Sequence, residues 1–203
     1  MRLPSDAALI LVDLQLAIDD ARWGPRNNPQ AERAIVALLA AWREEGLPIV
    51  HIRHDSVEPD SPYRPDRPSH AFKPETSPRP GEAVIGKSAH SAFIGGALER
   101  TLDGLGATTL VICGVLTHNS VEATARHAAD LGYRVFVVAD ACWAVALADG
   151  GGGFWPAEIV HRVALACLAG EYASIVDAEM TLAAARLAKA RLRSRQTSAG
   201  VDD

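Results

Sequence analysis

The sequence predicts an α/β fold organised on a mainly parallel sheet of six strands, covered by helices on both faces. Three observations predict it. Apolar, β-branched-rich runs recur at residues 7–12, 48–53, 83–85, 109–113, 134–139 and 174–176; segments of helical period lie between most of them; and Asp13, Lys87 and Asp140 stand at or just beyond the ends of such runs. Runs that are apolar along their whole length suit strands with no wet face. Alternation with helices makes such a sheet parallel, with ligands bound beyond the carboxyl ends of its strands.

Taken in order, the first run, AALILV, is closed by Asp13, and a charge at the end of a buried strand is costly unless it is paired or used. A turn-rich stretch, DDARWGPRNNP, leads to the helix AERAIVALLAAWREEG, with Ile35, Leu38, Leu39 and Trp42 on one face and Gly46 as its stop. The second strand, PIVHIR, precedes residues 54–82, which hold seven of the twelve prolines and follow neither period. A loop of that length within one domain frames a site. The third strand ends at Gly86-Lys87, and a helix follows over residues 98–105. The run 109–113 then turns at Gly114 and launches a helix near Asn119, with Glu122 in its first turn, where the positive end of the helix dipole lies. A strand over 134–139 ended by Asp140, a Gly-rich break at 150–153, a helix over 158–169, a strand at 174–176 and a helix over 181–195 complete a single domain, residues 1–195. Residues 196–203 read as a disordered tail.

A net charge of -5 argues against a phosphate-backbone partner, so the Arg-rich end RLAKARLRSR reads as a solvated helix face and no nucleic acid is expected. No stretch spans a bilayer and no cleavable leader is visible, which points to a cytoplasmic protein with no membrane partner. Cys113, Cys142 and Cys167 lie in apolar contexts and read as reduced core thiols.

Asp13, Lys87 and Ser120 fall on one edge of the expected sheet. Such a trio suits acyl transfer: Asp13 takes a proton, Lys87 stabilises its ionised neighbours, residue 120 attacks, and the N–H groups of Leu116 and Ser120 receive the oxyanion. Spacing alone supports equally well three satisfied structural polar groups.

The segments AALILVDLQ, PIVHIRHDS, PRPGEAVIGKSAHSAFIGGALERTL, LVICGVLTHNSVEATARHAADLGYRVFVVADAC and AEIVHRVALACLAGEYA resemble, in that order and spacing, the isochorismatase-like hydrolases, a superfamily that also holds nicotinamidases and ureide, biuret and maleamate hydrolases. The resemblance spans residues 7–176. It implies a three-layer, Rossmann-like α/β/α fold, an Asp-Lys-Cys triad at Asp13, Lys87 and position 120, a non-proline cis peptide between Val115 and Leu116, and homodimers or homotetramers. Where amidase members carry cysteine, this chain carries Ser120, in THNSVEAT. Three readings stay open: an inactivating Cys-to-Ser substitution in a C–N hydrolase, a vinyl-ether hydrolase of the isochorismatase type, or a binding or assembly protein on the same fold. The flanking Thr117 and Asn119 favour the amidase branch, with a small amide, carbamoyl or ureide substrate and no cofactor. Trp23, Arg26, Asn27, Asn28, Phe93, Thr117 and His118 are the expected substrate contacts, with Trp143 and Trp155 as pocket walls or core. His51, His54 and Asp55 do not reproduce the nicotinamidase metal pattern, so no metal is expected and a hydrogen-bonded strand-end pair is the default, with His54 and Asp55 as anchors of the long loop the alternative.

Overall fold

A computed structural model describes residues 1–199, with side chains through residue 188. Six strands form one sheet in the order β3-β2-β1-β4-β5-β8: β1 Ala8–Val12, β2 Ile49–His54, β3 Ala83–Lys87, β4 Thr109–Val115, β5 Arg134–Trp143 and β8 Ser174–Val176. All five pairings are parallel. Every residue of β1 and β4 is buried, as their unbroken apolar runs require. Helices α1 Ala31–Glu45 and α5 Ala178–Ala199 pack on each other, α3 Glu122–Asp130 packs on α4 Ala157–Leu168, and α2 Ala97–Leu105 packs beside β3, giving the three-layer α/β/α arrangement.

The chain builds outward from β1 to β2 and β3, then returns to the other side of β1 with β4. A crevice opens at that reversal, where the connections from neighbouring strands leave in opposite directions. Val12 pairs with both Ile52 and Gly114, and His54 pairs with Lys87, so the ends of β1, β2, β3 and β4 share one edge.

Several boundaries differ from the sequence reading. Gly114 does not end β4; with φ +119° it lies inside the strand, where an irregularity past Ile112 carries the pairing on to Gly114–Cys142 and Val115–Trp143. That extension draws β5 past Asp140, whose carboxylate accepts from the Ala178 N–H at 2.8 Å and satisfies a free donor at the start of α5. The Gly-rich break is the bend of a small antiparallel hairpin, β6 Leu147–Ala148 with β7 Phe154–Trp155. Helix α5 continues to Ala199, past the expected start of the tail; residues 200–203 lie outside the described residues. Among the described residues no helix is long and apolar enough to cross a membrane.

The proline-rich loop is strapped down by side chains. Buried Gln15 donates to the carbonyls of His54 and His70 at 3.1 and 2.9 Å and accepts from the His54 N–H at 2.7 Å. His70 and Arg53 bond Asp55, Lys73 bonds Asp19 and Glu32, and Glu82 bonds Arg43 and His51. Burial raises the carboxyl pKa values of Glu32 and Glu82, but their cationic and N–H partners outweigh it and bring both down to about 2. Because the folded values lie below the unfolded ones, this stabilisation is complete above about pH 4.5 and is lost as pH falls through about 2, on the order of 2 kcal/mol per carboxylate after solvent screening. Thermal melts across that window should show Tm falling with acid, and Glu82→Gln should melt lower at neutral pH with a shallower acid slope. An unchanged slope would contradict the assignment.

Candidate active site

Asp13 closes β1 with φ +53°, a left-handed conformation that turns the chain sharply at the strand's end, while its N–H donates to Ile52. Lys87 closes β3. Its ammonium donates to Asp13 Oδ2 at 2.8 Å, to Ser120 Oγ at 3.1 Å and to the Ala89 carbonyl at 3.1 Å. Ser120 is carried by a single wide helical turn, Thr117–Val121, in which the Val121 N–H reaches back to Leu116 O at 3.3 Å. Helical structure therefore begins at Thr117, ahead of the expected start near Asn119. The Val115–Leu116 peptide is cis. Asp13, Lys87 and Ser120 are all buried, and Asp13 Oδ1 is a buried carboxylate oxygen without a hydrogen-bond partner.

Asp13 also lines a cavity of about 190 Å³. Asp13 and Ser120 line it together with Leu116, Val115, Ile18 and Trp23. The strapped loop adds His54, Ser56, Glu58, Ser61 and Tyr63, and His90 and Asn119 complete the wall. Burial, and then the neighbouring Lys87 ammonium, push His54 below the ordinary imidazole range, so its ring is neutral at neutral pH, and its Nδ1 is buried without a partner. Burial and the nearby Asp13 and Asp19 carboxylates push the Tyr63 phenol well up.

Among the expected substrate contacts, only Trp23 lines this cavity; its indole donates to Ala17 O at 2.8 Å. The others lie outside it. Arg26 bonds Glu32 and lies 4.3 Å over the Trp143 ring. Asn27 bridges Glu158 and the Ala144 N–H, and Asn28 donates to the carbonyls of Ala139 and Cys142, so their amides are used in holding the chain after β1 against the end of β5. Phe93 is core, packed on His127 and Tyr133. Thr117 is buried and bonded to His161 at 2.8 Å, and His118 lines a separate apolar groove with Trp155 and Cys167. Cys167 is thus exposed and not a core thiol, whereas Cys113 and Cys142 are buried, and burial pushes their thiols up, Cys142 to about 12. Trp143 is core and Trp155 exposed. Among the described residues no group of three His, Cys, Asp or Glu is placed to hold a metal. The sequence reading missed Tyr63, Ser56, Glu58 and Ser61 individually. Its only signal for them was the aperiodic loop that carries them.

A parallel sheet that gathers a carboxylate, an ammonium and a hydroxyl at its carboxyl edge, under a strapped loop, defines an α/β/α hydrolase scaffold. The isochorismatase domain profile matches residues 7–179, and the chain belongs to the isochorismatase family. It is 37% identical over 175 residues to the uncharacterised isochorismatase family protein YrdC of Bacillus subtilis, covering 86% of this chain and 94% of the relative. A solved structure of an isochorismatase-family protein from Chromobacterium violaceum is 52% identical, with a TM-score of 0.87 and 91% of this chain and 96% of the other covered. Streptothricin hydrolase of Streptomyces noursei is 36% identical over 137 residues, 66% of this chain and 48% of the relative. Ureidoacrylate amidohydrolase RutB of Variovorax paradoxus is 29% identical over 172 residues, covering 68% of each chain.

Proposed function

We propose that this scaffold hydrolyses a C–N bond in a small amide, carbamoyl or ureide compound, with residue 120 as the position of attack. The observation that carries the reading is the buried Lys87 ammonium shared between Asp13 Oδ2 and Ser120 Oγ, two residues that line a small cavity. The amidohydrolase activity for which the Variovorax paradoxus relative is named supports the same bond type. In the proposed cycle the group at position 120 gives its proton to Asp13, through the carboxylate oxygen without a partner, and bonds the carbonyl carbon. The backbone N–H groups of Leu116 and Ser120 receive the oxyanion. Collapse breaks the C–N bond as the leaving amine takes the proton from Asp13. Water then gives a proton to Asp13 and attacks the acyl carbon, and the freed residue recovers that proton. Lys87 keeps its proton throughout and stabilises whichever neighbour is anionic.

Ammonia release from a panel of small amides and ureides tests this, using Ser120→Cys as the armed form. In that background Asp13→Asn and Lys87→Ala should each lower kcat/KM by about 10³-fold or more, because each removes a group from the bond-making step. Retained turnover in either double variant would overturn the assignment. Pyruvate released from isochorismate by the protein with Ser120 in place would favour the vinyl-ether reading. Ligand binding that survives Asp13→Asn, with no turnover by any form, would favour a binding protein. Assembly into a homodimer or homotetramer belongs to the same proposal and is supported by the exposed apolar groove of Leu147, Trp155, Ile159 and Val163.

A further inference from the structure

The charges around the cavity are unequal in their freedom to meet a ligand. Behind Asp13 and Ser120, which line it, Lys87 is engaged with both and with the Ala89 carbonyl, and one carboxylate and one ammonium offset each other. His54 is held neutral by burial and by the Lys87 charge. No arginine and no lysine stands among the described residues of the wall. Glu58 does. It is exposed at the mouth, its carboxylate makes no hydrogen bond or ion pair among the described residues, and its own N–H is held by Ser56 Oγ at 3.2 Å, which fixes the backbone there. The buried hydroxyl-bearing residue Ser56 and half-buried Ser61 line the same side of the loop.

We propose that the site selects a small acyl compound that carries no carboxylate and presents a positive charge, or a group rich in N–H donors, toward Glu58 at the mouth. This rests on the reading of the cavity as the substrate site and deepens it. A carboxylate-bearing substrate would place its anion beside Glu58 with no lysine or arginine in the described wall to receive it; the neighbouring guanidiniums, Arg22 and Arg67, stand outside the wall, bonded to Asp20 and to the carbonyls of Asp60 and Pro59, and desolvating an unpaired anion is unfavourable. A cationic group finds an acceptor whose attraction is not already spent. The volume of about 190 Å³ restricts the ligand to roughly ten heavy atoms, below the drug-sized range. The same charge arrangement disfavours dicarboxylates such as isochorismate.

Three amides of matched length separate the cases: 3-aminopropanamide, butanamide and succinamate, which are cationic, neutral and anionic at the far end. Their binding to the protein with Ser120 in place, by calorimetry at mildly alkaline pH, reads the preference without any turnover. The cation should bind at least about fivefold tighter than the anion, with the neutral amide between them. Glu58→Gln should bring the cation-to-anion ratio toward one, Glu58→Lys should invert it, and raising salt to about 0.5 M should shrink it. Preference for succinamate, an unchanged ratio in Glu58→Gln, or no binding of any of the three overturns the proposal. Ammonia release from the same compounds by Ser120→Cys is read separately: charge-ordered binding without ammonia release would sink the C–N hydrolase reading and leave the selectivity standing.

Discussion

Ser120→Cys is expected to raise the turnover of small amides by on the order of 10³-fold, about 4 kcal/mol of barrier. The argument rests on what sits 3.1 Å from Oγ: a buried ammonium already paired to a carboxylate. A thiol with an ordinary pKa of about 8.5 needs only a modest shift to become an anion at neutral pH, and a lysine charge at hydrogen-bond distance supplies one. A serine hydroxyl starts several units higher, so the same ammonium leaves it protonated and a poor nucleophile. Steady-state ammonia release measures the gain. Alkylation by iodoacetamide measures its cause, because the new thiol should react at lower pH than exposed Cys167, while Cys113 and Cys142 stay protected by burial. Equal, negligible release by both forms would remove the main support for an acyl-enzyme. High release by the serine form alone would place the chemistry on a hydroxyl and require a stronger base than the present arrangement provides.

The parts of this arrangement that were legible in the sequence are those governed by local pattern. Apolar, β-branched-rich runs located all six strands, the charges at their ends pointed to Asp13 and Lys87, and the strand-to-helix junction after the 109–113 run pointed to Ser120; the structure brings the three together through the Lys87 ammonium. The family resemblance added the fold's layers. Pocket residues were harder to read, because a polar side chain carries no mark of what it will bond. Arg26, Asn27 and Asn28 follow the first strand on the site side, yet their donors are taken by Glu32, Glu158 and backbone carbonyls more than a hundred residues away in the case of both asparagines. Conversely, Tyr63 and Glu58 reach the cavity only because Gln15, Asp55 and Lys73 pin an aperiodic loop across it, and those bonds join residues 15–55 positions apart in ways no local period encodes. Asp140 shows the same limit: the charge that reads as a strand end is an acceptor for the first N–H of α5.

Gly114→Ala is expected to cost about 3 kcal/mol or more and to take the active site with it. The glycine has φ +119°, a conformation that L residues rarely adopt, and a Cβ there would stand 2.3 Å from Val12 O, 2.8 Å from Val12 N and 3.0 Å from Val12 C. All three atoms are backbone of the central, fully buried β1, so no side chain can swing away to make room. Relief requires β1 and β4 to separate at the Val12–Gly114 pair, one residue before Asp13 and two before Leu116. The position that reads from sequence as a turn glycine is therefore a contact glycine, and it couples stability to catalysis. Gly132→Ala is the control, since Gly132 also has positive φ (+88°) but nothing lies within 4 Å of its added Cβ, so it pays conformational strain alone, about 1 kcal/mol. Urea unfolding of the two variants separates the contributions. Gly114→Ala should unfold well below Gly132→Ala or fail to accumulate as folded protein, and in the Ser120→Cys background it should lose ammonia release while Gly132→Ala keeps it. If the two variants unfold within about 1 kcal/mol of each other, the close approach of β4 to β1 is not what fixes the spacing of Asp13 and Ser120.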